Sequence, residues 1–458
     1  MPVEYPSSLE LIDLLYSPIC IFIIYIIAFI IRNRNISEYP YYKYFVQGLS
    51  VKLFGAVGMC FVYLYYYQGG DTVNYFFSAK VMLELLTTHP WAFNQILFFG
   101  QAGPEYYSYF SFHTGYPLYF NDPLSFFIVR IATPFVLITG KSYLAASILF
   151  TCISYTGIWK LYTVFVEEFP EIPGRLAIGV LFIPSVFFWG SGILKDSITI
   201  SAAGWFTFAI YQIVSKKRYQ PKFFFYLIFS SYILLSVKPY IFYVFLPSSS
   251  ALLLYNSLAR IKSGMMRFLS FPLMLAIFST GTFLLLLQLG QDKAKFTFGQ
   301  ILQTAVVTQQ DLKKEVYGGA TFDLGEFDAS IGSMLSKFPI AVNAALFRPY
   351  IWEAKNPLMM FSAIEIMLIF FLTVYLLIQI RFTNIIKFIR QRGILFFSIS
   401  FVLMFAFAVG ISTPNFGSLV RYKIPCIPFY VATILILLNE NSKFEKGILM
   451  NTPENQEA

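Results

Sequence analysis

The residues that can do chemistry in this chain fall into five short segments. Gly69-Gly70-Asp71-Thr72-Val73-Asn74-Tyr75 presents a carboxylate near a phenol, after two glycines that allow a tight turn. Trp189-Gly190-Ser191-Gly192-Ile193-Leu194-Lys195-Asp196 sets a lysine and an aspartate at the start of an apolar run. Free amides at a helix start, together with an ammonium, suit a phosphate. Lys238-Pro239-Tyr240 is a lone cation between apolar stretches, and Arg348-Pro349-Tyr350-Ile351-Trp352-Glu353 combines a cation, an indole and an acid, with Glu365 further along. The last segment, Pro414 to Lys423, contains Arg421. Carboxylates of this kind act as general bases or hold divalent metals, and the cations suit a phosphate or diphosphate. Each segment also has a plainer reading. Asp71 can cap a helix, Lys195 and Asp196 can neutralise each other, and the others can be interfacial anchors whose charges snorkel into water.

Apolar stretches must position these segments. Of 458 residues, 57% are hydrophobic, 20% aromatic and 12% charged, with a mean hydropathy of +0.65. Soluble chains carry roughly 25% charged residues, so a soluble enzyme, a nucleic-acid binder and a disordered scaffold are excluded. The net charge of +9 is spread in short basic runs between apolar stretches, the pattern that orients a polytopic membrane protein. The expected fold is therefore all-α, a polytopic transmembrane helix bundle forming one integral membrane domain over 1–458.

Stretches of about 17–25 apolar residues mark the crossings. The first, about 11–31, ends at Arg32-Asn33-Arg34, which places the N-terminus outside. A second, about 45–66, returns outside and opens a long loop, 67–121, with Lys80 as its sole lysine or arginine; short amphipathic pieces there are expected to lie along the membrane surface. Basic runs at 215–218, 260–267 and 381–392 are expected to be cytoplasmic. They alternate with crossings at about 222–237, 240–258, 268–289, 357–380, 394–411 and 422–438, leaving 290–355 outside and a cytoplasmic tail at 439–458. A crossing that ends at Trp189 precedes Lys195. Between 122 and 175 there is apolar material for two crossings, about 122–138 and 142–165, where parity demands an odd number. One is expected to be re-entrant or tilted, unless 74–100 hides another, and the total is about eleven. On this topology Lys195, Lys238, Arg348 and Arg421 share one outer rim with Asp71, Asp196, Glu353 and Glu365.

Cys20, Cys60, Cys152 and Cys426 sit in or beside apolar stretches with no CxxC spacing, and read as buried small hydrophobes. His89 and His113 are too few for a histidine metal site. Glu4, Glu10 and Asp13 stand where a signal peptide would have a basic region.

The order Gly70-Asp71 with Tyr75, then Asn121-Asp122-Pro123-Leu124, then Gly140-Lys141-Ser142 resembles the GT-C glycosyltransferases, polytopic enzymes that take a sugar from a polyprenyl-phosphate donor at the outer membrane face. The resemblance covers roughly residues 60–240. Asp71 matches the family's acidic residue of the first loop, and Asp196 its second acidic position. The chain departs from the family in having Asn-Asp-Pro-Leu where a Lys/Arg-Pro-Pro-Leu run is usual, and no large soluble domain after the last crossing. The Arg348 segment and the Arg421 turn are similar in general layout to O-antigen-type polysaccharide polymerases.

The expected function is thus transfer or polymerisation of polyprenyl-(di)phosphate-linked sugars at the extracytoplasmic face, for cell-surface polysaccharide, in a bacterial inner membrane. Asp71 and Asp196 would be catalytic, and Lys195, Lys238, Arg348 and Arg421 would bind phosphate. Tyr75, Tyr107, Trp189, Trp352 and Glu353 would contact sugar or acceptor, the aromatic rings by stacking. A divalent Mg or Mn ion, if used, would sit at Asp71. The partners are the lipid-linked sugar and membrane lipids. Two alternatives stay open: a transporter or flippase of lipid-linked or anionic substrates, and a structural subunit that docks through 290–355.

Overall fold

The computed structural model describes residues 4–258 and 320–447, together with 303, 306, 307 and 310. The basic run 260–267, the crossing at 268–289, most of 290–319 and the tail from 448 lie outside the described residues. Among the described residues the fold is helical, and its one extended pairing is an isolated antiparallel bridge between Thr321 and Asn415.

The first helices are α1 (Leu11–Asn35), α2 (Lys43–Phe61), α3 (Asp71–Thr88), α4 (Pro90–Leu97), α5 (Pro104–Tyr107) and α6 (Pro123–Ile138). Then come α7 (Tyr143–Glu168), α8 (Pro173–Val180), α9 (Pro184–Phe188), α10 (Lys195–Ile210), α11 (Pro221–Val237) and α12 (Pro239–Leu258). After residue 320 follow α13 (Ile331–Ser336), α14 (Phe338–Phe347), α15 (Pro357–Gln379), α16 (Phe382–Gln391), α17 (Gly393–Ser412), α18 (Phe416–Tyr422) and α19 (Ile427–Glu445). Proline opens eight of these nineteen described helices, because its missing N–H would be unpaired in a first turn anyway.

Six described helices are long and apolar enough to cross a membrane: Leu11–Asn35, Pro40–Tyr66, Tyr143–Glu168, Lys195–Ser215, Pro357–Gln379 and Gly393–Ser412. A seventh forms if α18 and α19, bent by 64° at their junction, make one span. The eleven crossings expected from sequence are therefore not reached among the described residues, for two physical reasons. Helices α6 and α11 have 16 and 17 residues, about 24–26 Å at 1.5 Å per residue, against a hydrocarbon core of about 30 Å. The crossing expected to end at Trp189 is instead two pieces, α8 and α9, separated before Pro184, a residue that cannot continue a helix hydrogen-bond ladder. Of the pair at 122–138 and 142–165, the second is the full-length helix. Helix α19 runs on to Glu445, so the first residues of the expected tail at 439–458 are helical.

The chain divides into two compact units. The first comprises Met1–Thr163, Leu181–Thr207 and Tyr226–Pro239. Within it α3, in the expected outer loop, is a packed helix, burying Val73, Phe76, Ala79, Val81, Met82 and Leu85 and running against α6. Helices α7 and α10 approach through small residues. A Cβ on Gly157 would lie 2.0 Å from the Ser201 carbonyl oxygen, and one on Gly204 would lie 2.0 Å from that of Gly157. Close backbone approach through small residues is how helices associate where the surrounding lipid removes any hydrophobic drive. Two cross-links reinforce it: Ser201 Oγ donates to Ile153 O, and Trp205 Nε1 donates to Thr156 Oγ1, each at 3.0 Å.

The second unit comprises Val164–Val180, Phe208–Phe225 and Tyr240–Ala458. Its core is aromatic: Phe245 stacks on Phe401 at 4.2 Å, and Phe405 and Phe429 also pack on Phe401. Cys60 and Cys426 are buried thiols, and Cys20 and Cys152 are partly buried.

Candidate functional site

In the first unit the loop from Gln68 to Gly70 turns the chain out of α2 and into α3. Gly70 caps α3 at φ +104°, a conformation closed to most side chains. Asp71 is therefore the first helical residue rather than the cap. Its Oδ1 accepts a hydrogen bond from Tyr119 Oη at 3.1 Å. Tyr119 in turn accepts from Asn74 Nδ2 at 3.1 Å, and Asn74 Oδ1 accepts from Tyr5 Oη at 2.6 Å. The chain of donors therefore runs in one direction, Tyr5 to Asn74 to Tyr119 to Asp71. Burial, and after it the charge of Asp71, pushes the Tyr119 phenol up to about 12, so at neutral pH it keeps its proton and donates.

The turn before α10 brings in the cations. Gly192 adopts φ +73°, and its N–H donates to Thr151 Oγ1 at 2.8 Å. On the same turn Ser154 Oγ donates to Gly190 O at 2.9 Å, and Ser191 Oγ donates to Lys52 O at 3.2 Å. These bonds tie the turn to α2 and α7 and fix where Lys195 emerges.

Lys195 and Asp196 do not neutralise each other. Lys195 Nζ lies 3.7 Å from Asp122 Oδ2, whereas Asp196 Oδ1 receives Lys238 Nζ at 2.5 Å. The two pairs differ in exposure. The Asp196 and Lys238 side chains are 1% and 8% exposed, while Asp122 is about half open. The charges of Asp122, Lys238, Asp71 and Asp196 all act on Lys195, so three acids and two lysines converge there. Asp122 caps α6 by accepting from Leu124 N at 3.2 Å, and also accepts from Ser125 Oγ. Its burial works to raise its pKa, but the Ser125 bond and the Lys195 charge outweigh this and lower it.

The geometry places the other expected site residues as follows. Lys238 is not a lone cation; it is the buried partner of Asp196, because a charge buried without a counter-charge is strongly unfavourable. Tyr75 and Trp189, expected as exposed stacking faces, are 3% and 5% exposed. Tyr75 packs on Tyr119 and Trp189 on Phe188, with ring centroids 5.1 Å apart in each case. Tyr107 is partly exposed among Tyr116, Phe120 and Phe110.

In the second unit the Arg348 guanidinium pairs with Glu353, whose carboxylate also accepts from Tyr350 N at 2.8 Å. It lies over the rings of Phe322 and Phe416, 5.0 and 5.1 Å from their centroids. Arg348 is thus held in a clasp rather than presented. Trp352 is 81% exposed and stacked on Tyr350. Arg421 is half-buried in the last turn of α18. Lys423, two residues on, is buried, donates to Arg348 O at 2.7 Å and feels the charge of the buried Glu365.

Among the described residues no three His, Cys, Asp or Glu side chains are grouped as a metal site. Sequence reasoning missed Tyr119, which no motif marks and only the fold carries to Asp71. It also missed the pairing of Asp122 with Lys195, which lie 73 residues apart in sequence (195 − 122). Set against family models, curated proteins and solved structures, the chain matches none of them, so its functional reading rests on this site.

Proposed function

We propose that the chain is a membrane glycosyltransferase or polymerase acting on polyprenyl-(di)phosphate-linked sugars at the extracytoplasmic face, in the manner of the GT-C enzymes it resembles. The observation that carries this reading is the half-open Lys195–Asp122 pair, with Asp71 near enough for its charge to act on Lys195. At 3.7 Å and partly exposed, the pair is loose. A substrate phosphate can take the place of the Asp122 carboxylate on Lys195. Asp71, oriented by Tyr119, then accepts the proton of the acceptor hydroxyl as its oxygen attacks the anomeric carbon. The bond from that carbon to the phosphate oxygen breaks, and the phosphate leaves with the electron pair, stabilised by Lys195. The Asp196–Lys238 pair sets the local field beneath Lys195 instead of binding substrate. The apolar helices supply the groove for the lipid tail.

The same reading keeps the N-terminus outside, the basic runs in the cytoplasm and about eleven passes of a bacterial inner membrane, short helices included. The buried ion pair Asp196–Lys238 favours one alternative, a transporter, because intramembrane charge pairs often mark ion or substrate pathways. Purified full-length protein with a labelled polyprenyl-phosphate sugar separates the two readings. A transferase incorporates label into acceptor, and Asp71→Asn lowers that incorporation by about 10²–10⁴-fold. Full incorporation by Asp71→Asn at normal protein level removes Asp71 from the reaction. Flux of the labelled lipid across a vesicle, with no transfer, favours transport.

A further inference from the structure

Helix α16 (Phe382–Gln391) occupies a constrained place. The span α15 ends at Gln379, α17 begins at Gly393, and α16 is the whole connection between them. A helix so tied to two spans lies at the level where both leave the hydrocarbon. Its sequence, with the flanking arginines, is Arg381-Phe-Thr-Asn-Ile-Ile-Lys-Phe-Ile-Arg-Gln-Arg392, and it contains no acidic residue.

At about 100° per residue the side chains sort into two arcs. Phe382, Ile385, Ile386, Phe388 and Ile389 share the apolar arc; Thr383, Asn384, Lys387, Arg390 and Gln391 share the polar one. Among the described residues, one edge of the apolar arc is used by the protein. Ile385 and Phe388 are buried, with Phe388 6.1 Å from the Phe444 ring of α19. At the other edge Phe382 is 69% exposed, and Ile386 and Ile389 are half-buried. Arg381, Lys387 and Arg390 are exposed, Lys387 reaching over the Phe444 ring. Arg392 is drawn instead toward the buried Glu440, 3.9 Å away.

From this arrangement we infer that α16 is a binding site for anionic phospholipid. The open edge of the apolar arc, Phe382, Ile386 and Ile389, meets the upper acyl chains. Arg390 adjoins that edge, and with the exposed Lys387 it meets the headgroup phosphates. An interfacial amphipathic helix binds through this combination of apolar area and attraction to anionic lipid. The inference does not depend on the glycan reading, since it concerns a different element and a different ligand.

The test uses the full-length protein in phosphatidylcholine nanodiscs, with spin-labelled phosphatidylglycerol and spin-labelled phosphatidylcholine as probes of the motionally restricted lipid. The native protein is expected to retain phosphatidylglycerol preferentially. K387Q/R390Q should lower that preference by about fivefold per charge, while the charge-preserving K387R/R390K should keep it. K217Q/K222Q, which removes the same charge elsewhere, should also keep it. Equal loss in K217Q/K222Q would mean bulk charge and overturn the site, as would loss in K387R/R390K or no loss in K387Q/R390Q. Inorganic phosphate should not displace the lipid label; displacement would make the site one for free anions and overturn the lipid assignment.

Discussion

At the scale of single residues the decisive feature is which charges remain open to solvent. Lys195 and Lys238 look alike in sequence, each beside a helix start. Yet Lys238 is enclosed with Asp196 and Lys195 is left with a half-open partner. A buried pair loses little when both members go, and much when one does. Lys238→Met is therefore expected to destabilise by about 3–5 kcal/mol, and the double variant Asp196→Leu/Lys238→Met to recover most of that, read from thermal unfolding in detergent. A double variant no more stable than the single one would show that the two charges act separately. Tyr119→Phe leaves the ring packing on Tyr75 but removes the donor to Asp71. A hydrogen bond to a charged group contributes about 1.5–3 kcal/mol, so sugar transfer should fall roughly 10–100-fold with KM little changed. Unchanged turnover would mean that Tyr119 does not orient Asp71.

At the scale of elements, the site depends on how closely α7 and α10 approach. Lys195 is the first residue of α10, and its position follows from the contacts of Gly157, Ser201 and Gly204. Gly204→Leu has no room, because even a Cβ there would sit 2.0 Å from Gly157 O. Overpacking of this kind costs about 1–3 kcal/mol. A lower unfolding temperature and reduced sugar transfer are expected together. Gly332→Ala, whose Cβ meets nothing within 4 Å, is the control and should change neither. Loss of transfer in Gly204→Leu without loss of stability would place the effect in the site rather than in the packing.

The longest apolar helices and their approximate ends were readable because apolar length and bounding charges are local properties. Where α3 would go was not. Its residues Asp71–Thr88 read as part of an outer loop, and the packing on α6 is visible only in the fold. Tyr119 likewise carries no signal of its own, since its role comes from a loop that returns to α3. Asp71 and Lys195 were visible because a charge next to an apolar run always requires a reason.

At the scale of the whole molecule, the basic runs between spans set which end of each helix faces which side. Single cysteines in a background without Cys20, Cys60, Cys152 and Cys426 test it with a membrane-impermeant maleimide in intact cells. A cysteine at the exposed Phe112 should be labelled directly, and one at the exposed Lys217 only after permeabilisation. The reverse pattern would invert the topology and with it the side on which the Asp71 site lies.

By itself the sequence determined the class of this protein: too few charges and too many long apolar runs for water, with basic runs between them. Those are sums over neighbouring residues, and folding does not change them. Only the tertiary structure decided which passes are full length, which cation is buried, and that Tyr5, Asn74 and Tyr119 form a line of donors ending at Asp71. Pairing of charges and hydrogen bonds depends on distances of a few ångströms between residues far apart in the chain, and no local pattern encodes such a distance.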